Sequence, residues 1–164
     1  DKAVYVFSEL LKLDPEYRMV IIGPIGSQSE YLFKIISQLG LKNKITITGA
    51  LPEKNKINWL KKSSIYLQLS HYEGFGISAI EALASGNIVI HSNKGGLAEG
   101  VGSFGIVIND PNEYSKIALT IIESYKLGTK EEKIREGLQH VKNNFDFNRR
   151  LNDFRDLFKD LLKL

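Results

Sequence analysis

The chain has 164 residues, 43% of them hydrophobic and 25% charged, which is enough for one globular domain with a real core and too few for two. Its net charge of +3 is spread along the sequence, which suits phosphates or an anionic membrane surface but lacks the concentrated basic face of a nucleic-acid binder. No cysteine is present, so disulfides, thiolate metal sites and cysteine nucleophiles are excluded, and no apolar run approaches the roughly eighteen residues of a membrane span.

In chain order, Val4, Phe7, Leu10 and Leu11 recur at helical spacing, and Asp14-Pro15 closes a helix over 1–13. The run 19–22 reads as a buried strand ending in the turn Gly23-Pro24-Ile25-Gly26. A helix over 29–39 stops at Gly40, a strand over 45–48 stops at Gly49, and a helix over 53–62 carries Trp59, the single tryptophan. A strand over 65–69 leads into His71-Tyr72-Glu73-Gly74-Phe75-Gly76. A helix follows in which Ile77, Ile80, Leu83 and Ala84 repeat and Gly86 is the stop. The strand 88–91 precedes a second glycine loop, Ser92 to Gly96, and a helical turn at 97–99. A brief strand at 105–108 and helices over 112–125, 130–141 and 147–162 complete the chain. Strand and helix alternate without a repeat or linker. The expected fold is α/β, a Rossmann-like parallel sheet with helices on both faces, forming one domain over 1–164.

Ligands of such sheets bind outside the carboxyl ends of the strands, and every glycine-rich turn named above falls on that edge. The Glu73–Gly76 stretch is the most informative. A glycine turn feeding a helix presents amides without intrahelical partners at the positive end of the helix dipole, which favours an anion. Glu73 just before the turn and Glu81 within the helix would repel a phosphate unless aimed elsewhere, and hydroxyl groups are the obvious partners for a carboxylate. Phosphate between two sugars fits that pattern. Residue by residue, a plainer alternative stays open, in which one glutamate favours the helix start and the other is solvated. No Asp-x-Asp motif occurs and the three histidines are scattered, so no metal site is expected.

Glu73-Gly-Phe-Gly, the spacing to Glu81-Ala82, then Gly86 and Ile88-Val89-Ile90 resemble the retaining glycosyltransferases of family 4, the "glycosyl transferases group 1" domain of GT-B enzymes. The resemblance runs along almost the whole chain and implies the C-terminal, donor-binding half of a two-domain enzyme. By it, Lys2 would help hold the donor diphosphate, although Ala3 replaces the family's glycine. Gly26 would close the Gly-x-Gly turn, and Gly49, Ala50 and Leu51 would receive the nucleobase. Glu73 would bind the transferred sugar, and Gly74 with the amides of Phe75, Gly76 and Ile77 would face the diphosphate or the sugar. Glu81 would accept from the ribose.

The implied reaction moves a hexose from a UDP-, GDP- or ADP-sugar, with retention, without a metal and without a cofactor. The acceptor, a glycan or lipid-linked, would bind through an N-terminal domain. A cytoplasmic setting, at the inner face of the membrane if the basic surface makes a peripheral contact, goes with it.

One departure concerns the fold. The family opens this domain with a central strand and a Gly-Arg turn, and neither precedes Asp1, so a sheet lacking its first strand is expected. Two alternatives have other functions: a non-catalytic nucleotide-sugar-binding or assembly module, and a GT-B nucleotide-sugar epimerase.

Overall fold

The computed structural model describes residues 1–27, 29–126 and 130–162. Helix α1 (Lys2–Leu13) ends at Asp14, whose extended backbone breaks the helix just before Pro15. Strand β1 (Met19–Ile21), helix α2 (Ser29–Gln38) and strand β2 (Ile45–Ile47) make one parallel crossover unit. Then come α3 (Glu53–Lys62), β3 (Ile65–Gln68), α4 (Ile77–Ala84) and β4 (Ile88–Ser92). The short α5 (Leu97–Val101) runs into a 3-10 turn (Gly102–Phe104) ahead of β5 (Ile106–Ile108). Helices α6 (Tyr114–Lys126), α7 (Lys130–Phe145) and α8 (Phe147–Leu162) follow.

The glycine stops work as the sequence predicts. Gly40 and Gly86 adopt φ of 69° and 83°, and the Leu41 amide reaches back to the Ile36 carbonyl at 2.9 Å. Such left-handed positions after a helix favour glycine, which has no Cβ to clash.

β4 shows why helices cover both faces. All five of its residues are buried, and successive side chains alternate between two cores. Ile88 and Ile90 join Val4, Phe7, Ile117 and Ile121 on the face covered by α1 and α6. Val89 joins Leu60, Ala79, Leu83, Leu97 and Val101 on the face covered by α3, α4 and α5. Each such buried aliphatic side chain contributes about 1.5–3 kcal/mol by leaving water. Buried Asn87 donates to the carbonyls of Leu60 and Ala82 at 2.9 and 3.1 Å, which ties α3 to α4.

The strands do not form one continuous sheet. β1 pairs with β2, and β3, β4 and β5 pair in that order, every ladder parallel, but no ladder joins β1 to β3 among the described residues. The break falls where the family resemblance places a first, central strand. It also leaves β1 and β3 only half-buried although their residues are almost all apolar.

His91 on β4 is fully buried, its Nε2 has no partner among the described residues, and its Nδ1 lies 3.3 Å from the Ser92 carbonyl. Burial pushes its pKa below the ordinary value of about 6.5, against a smaller opposing effect of that carbonyl. The unfolded chain therefore takes up the His91 proton first as pH falls. Stability is complete above about pH 6.5 and is lost on acidification through the folded-state pKa. The melting temperature is expected to drop between about pH 7.5 and 5.5, and to drop less over that interval in His91→Gln. Equal drops in the two proteins would show that His91 does not titrate in this way.

Candidate functional site

The carboxyl ends of the strands carry two pairs of interlocked glycine loops. After β1 and β2, the Gly23 amide donates to the Gly49 carbonyl at 3.1 Å, with Gly49 in the left-handed region at φ 72°. After β3 and β4, the Gly96 amide donates to the Glu73 carbonyl at 3.0 Å, and the Ser92 hydroxyl donates to the Ser70 carbonyl at 2.6 Å. The contact between the second pair is backbone on backbone. A Cβ on Gly95 would fall on the Glu73 carbonyl oxygen, and one on Gly96 would fall on that of Gly74. One on Gly100 would come within 2.6 Å of that of Phe75. Gly76, at φ 77°, turns the chain into α4 and buries its own α-carbon against Leu97.

This packing fixes Glu73, Gly74, Phe75 and Gly76 in front of the first turn of α4, whose amides have no intrahelical partners. The Phe75 ring is held from behind, edge-to-face against Phe145 at 5.8 Å, and Phe145 packs on His140. His140 Nε2 lies 3.1 Å from the Gly100 carbonyl. The last turns of α7 thus buttress the loop. Ile77 is not the core residue that its helical spacing predicts. It is 64% exposed, and Ala84 at the other end of the same repeat is exposed too, whereas Ile80 and Leu83 are buried.

Both glutamates are oriented by partners that sequence reading missed. Glu73 Oε2 accepts from Gln68 Nε2 at 2.7 Å, and Gln68 Oε1 accepts from the Tyr66 hydroxyl at 2.6 Å. Burial above all pushes the Tyr66 pKa up to about 12, and the charges of Glu73 and Glu81 push the same way, so the hydroxyl stays a donor. Residues 66 and 68 share one side of β3, so period-two alternation was the available signal. Glu81 Oε1 forms an ion pair with Lys56 Nζ at 2.8 Å, and Lys56 also reaches Glu53 at 3.0 Å. The Glu81 hydrogen bond is the main cause raising the Lys56 pKa. The pair leaves Glu81 Oε2 buried and without a partner, while Glu73 Oε1 has none among the described residues.

Lys2 opens α1, and its buried Nζ has no hydrogen-bond partner among the described residues. A hollow of about 340 Å³ lies there, lined by Asp1, Lys2, Ala3 and residues 67–71, at the carboxyl end of β3. A buried ammonium without a counter-charge is costly, and an anionic ligand would relieve that cost. Gly26 sits at the carboxyl end of β1, exposed, with its amide donating to Ser29 Oγ at 2.9 Å. Exposed Ala50 and half-buried Leu51 follow Gly49 and lead into α3, whose Lys56 meets Glu81. Lys2, Glu73 to Ile77 and Glu81 therefore cluster around β3 and α4, with Gly26, Gly49, Ala50 and Leu51 on the β1–β2 side. No group of three His, Asp or Glu side chains able to hold a metal occurs among the described residues. No described helix is long and apolar enough to cross a membrane.

A model of the family described as "Glycosyl transferases group 1" matches residues 1–140. A D-inositol 3-phosphate glycosyltransferase of Frankia alni is 31% identical over 127 residues, covering 70% of this chain and 31% of the relative. Among solved structures, the C-terminal domain of the glycosyl transferase group 1 family protein LpcC from Francisella tularensis superposes with a TM-score of 0.72. It is 25% identical, over 89% of this chain and 80% of that one. The pneumococcal O-GlcNAc transferase GtfA, solved in complex with UDP and GlcNAc, gives a TM-score of 0.84 at 22% identity, over 99% of this chain and 33% of that one. The fold is that of one half of a GT-B glycosyltransferase. The chain spans about a third of the length of the curated relatives it matches.

Proposed function

The chain belongs to the glycosyl transferases group 1 family, and from that premise we propose that it is the donor-binding half of a glycosyltransferase. It holds a nucleotide-diphosphate hexose at the carboxyl edge of its strands. The sugar passes, with retention and without a metal, to a glycan or lipid-linked acceptor bound by a second domain. The observation that carries this reading is the rigid Glu73–Gly76 loop. It sets the start of α4 beside two carboxylates that each keep one oxygen without a partner among the described residues.

The amides of Phe75, Gly76 and Ile77, together with Lys2, would take the charge that develops on the leaving diphosphate. Preorganised donors of this kind stabilise a transition state without reorganising as it forms. Glu73 Oε1 would accept from hydroxyls of the hexose, Glu81 Oε2 from the ribose, and Gly49 to Leu51 would border the base. Glu81 Oε2 is unsatisfied without a ligand, and a ribose hydroxyl is a suitable donor to it. A cytoplasmic setting near the membrane's inner face fits the exposed Phe147, Phe154 and Phe158 of α8 beside Arg149, Arg150 and Arg155.

Glu73→Gln tests the assignment of the sugar subsite. Its affinity for the nucleotide-hexose is expected to fall on the order of tenfold or more, with affinity for the bare nucleotide unchanged. Equal loss for both ligands, or no loss for either, would refute a role for Glu73 at the sugar.

A further inference from the structure

Tyr66 and Gln68, on one side of β3, carry a chain of hydrogen bonds from the core to the carboxyl edge of the sheet. The Tyr66 ring packs on the core cluster that includes Leu60, Ala79 and Leu83, which anchors its hydroxyl. That hydroxyl donates to Gln68 Oε1 at 2.6 Å and so fixes which end of the amide faces Glu73. Gln68 Nε2 then donates to Ser70 Oγ at 2.9 Å and to Glu73 Oε2 at 2.7 Å. Reversed, the amide would set its oxygen against the carboxylate, and Glu73 would have to be protonated to stay there. An amide nitrogen carries two hydrogens, so Gln68 has no donor left for a ligand. Both of its acceptors do keep a free group. Glu73 retains Oε1. Ser70, its oxygen accepting from Gln68, retains an O–H for which no acceptor exists among the described residues. Ser92 Oγ holds the Ser70 carbonyl as well, at 2.6 Å.

We propose that Gln68 is a positioning residue of the sugar subsite, presenting Glu73 Oε1 as an acceptor and the Ser70 hydroxyl as a donor to hydroxyls of the hexose. The proposal rests on the reading of Glu73 as a sugar ligand and adds Ser70 to it as a second contact. Sugar hydroxyls both donate and accept, so a carboxylate oxygen and a hydroxyl hydrogen held side by side complement them. One pyranose can reach both, because Ser70 and Glu73 sit on the same Gln68 nitrogen. Gln68 itself touches no substrate and acts only through these two side chains.

The test measures, by calorimetry, affinity for whichever of UDP, GDP and ADP the chain prefers and for its hexose conjugate. The ratio of the two reads the sugar contacts alone. Gln68→Leu is expected to lower that ratio about tenfold and Ser70→Ala about fivefold, each with the bare nucleotide bound as before. Gln68→Glu is the conservative variant. Two carboxyl groups at the present 2.7 Å separation share one proton, and while it stays the substituted side chain still donates to Glu73. The ratio in Gln68→Glu is therefore expected to match the unsubstituted chain near about pH 6 and to fall towards that of Gln68→Leu by about pH 9, as the shared proton leaves. A ratio unchanged in Gln68→Leu but lowered in Glu73→Gln would overturn the positioning role and leave the sugar assignment standing. A ratio that Glu73→Gln does not lower would overturn both. Equal loss for both ligands in Gln68→Leu, or a Gln68→Glu ratio that follows the unsubstituted chain at every pH, would make Gln68 a structural residue only. An unchanged ratio in Ser70→Ala would overturn the donor half of the pair.

Discussion

Gly96→Ala is expected to destabilise the domain by about 3 kcal/mol and lower its melting temperature by roughly 10 °C. The added methyl group would land on the Gly74 carbonyl oxygen and 2.9 Å from the Phe75 α-carbon. Both are backbone atoms, so no side chain can rotate away to make room. The same three-residue segment, Glu73 to Phe75, is pressed by Gly95 and Gly100 as well, which leaves the loop no direction of relief. Relaxation would stretch the 3.0 Å bond from the Gly96 amide to the Glu73 carbonyl and shift the amides ahead of α4. Nucleotide affinity should therefore fall with stability. Gly26→Ala is the control. An added Cβ there meets nothing within 4 Å and the backbone is not left-handed, so urea unfolding should give a near-native midpoint. Similar midpoints for the two variants would show that the loops are not locked together.

Glu81→Ala is expected to weaken nucleotide binding about thirtyfold or more, the loss of a hydrogen bond to a charged group, while changing stability little. Lys56 keeps its second partner, Glu53, when the ion pair with Glu81 is lost, so its charge stays compensated. Removing the carboxylate also removes a buried oxygen that has no partner. Lys56→Gln separates the two roles of the site. It breaks the same ion pair but keeps the acceptor, so binding should persist in Lys56→Gln and fail in Glu81→Ala. Equal loss in both variants would mean that the pair, and not the Glu81 oxygen, matters to the ligand.

Much of this was legible in the sequence because it depends on local patterns. The apolar run 88–90 marks a strand buried on both faces, and Gly40 and Gly86 end helices where they stand. The glycine loops share one edge because all five strands are parallel to their neighbours. What stayed hidden depends on contacts between distant residues. Lys56 and Glu81 are 25 positions apart and meet where α3 and α4 pack over a shared core, tied together by Asn87. The edge-to-face contact of Phe75 with Phe145 joins a loop to the end of α7, far along the chain. Helical spacing groups Ile77 and Ala84 with Ile80 and Leu83, but periodicity cannot tell that only the middle of the short helix is covered. Gln68 and Tyr66 belong to a strand read only for its apolar residues, and their part in aiming Glu73 depends on which face they share.

We propose that the Glu73–Gly76 loop and Glu81 form a nucleotide-sugar site. Calorimetric titration of the folded protein with UDP, GDP, ADP and their hexose conjugates tests it most directly. Saturable binding of one nucleotide in preference to the other two, tighter for its hexose conjugate and weakened about thirtyfold or more in Glu81→Ala, is the expected result. Flat titrations with all six ligands, or binding that Glu81→Ala leaves intact, would contradict it.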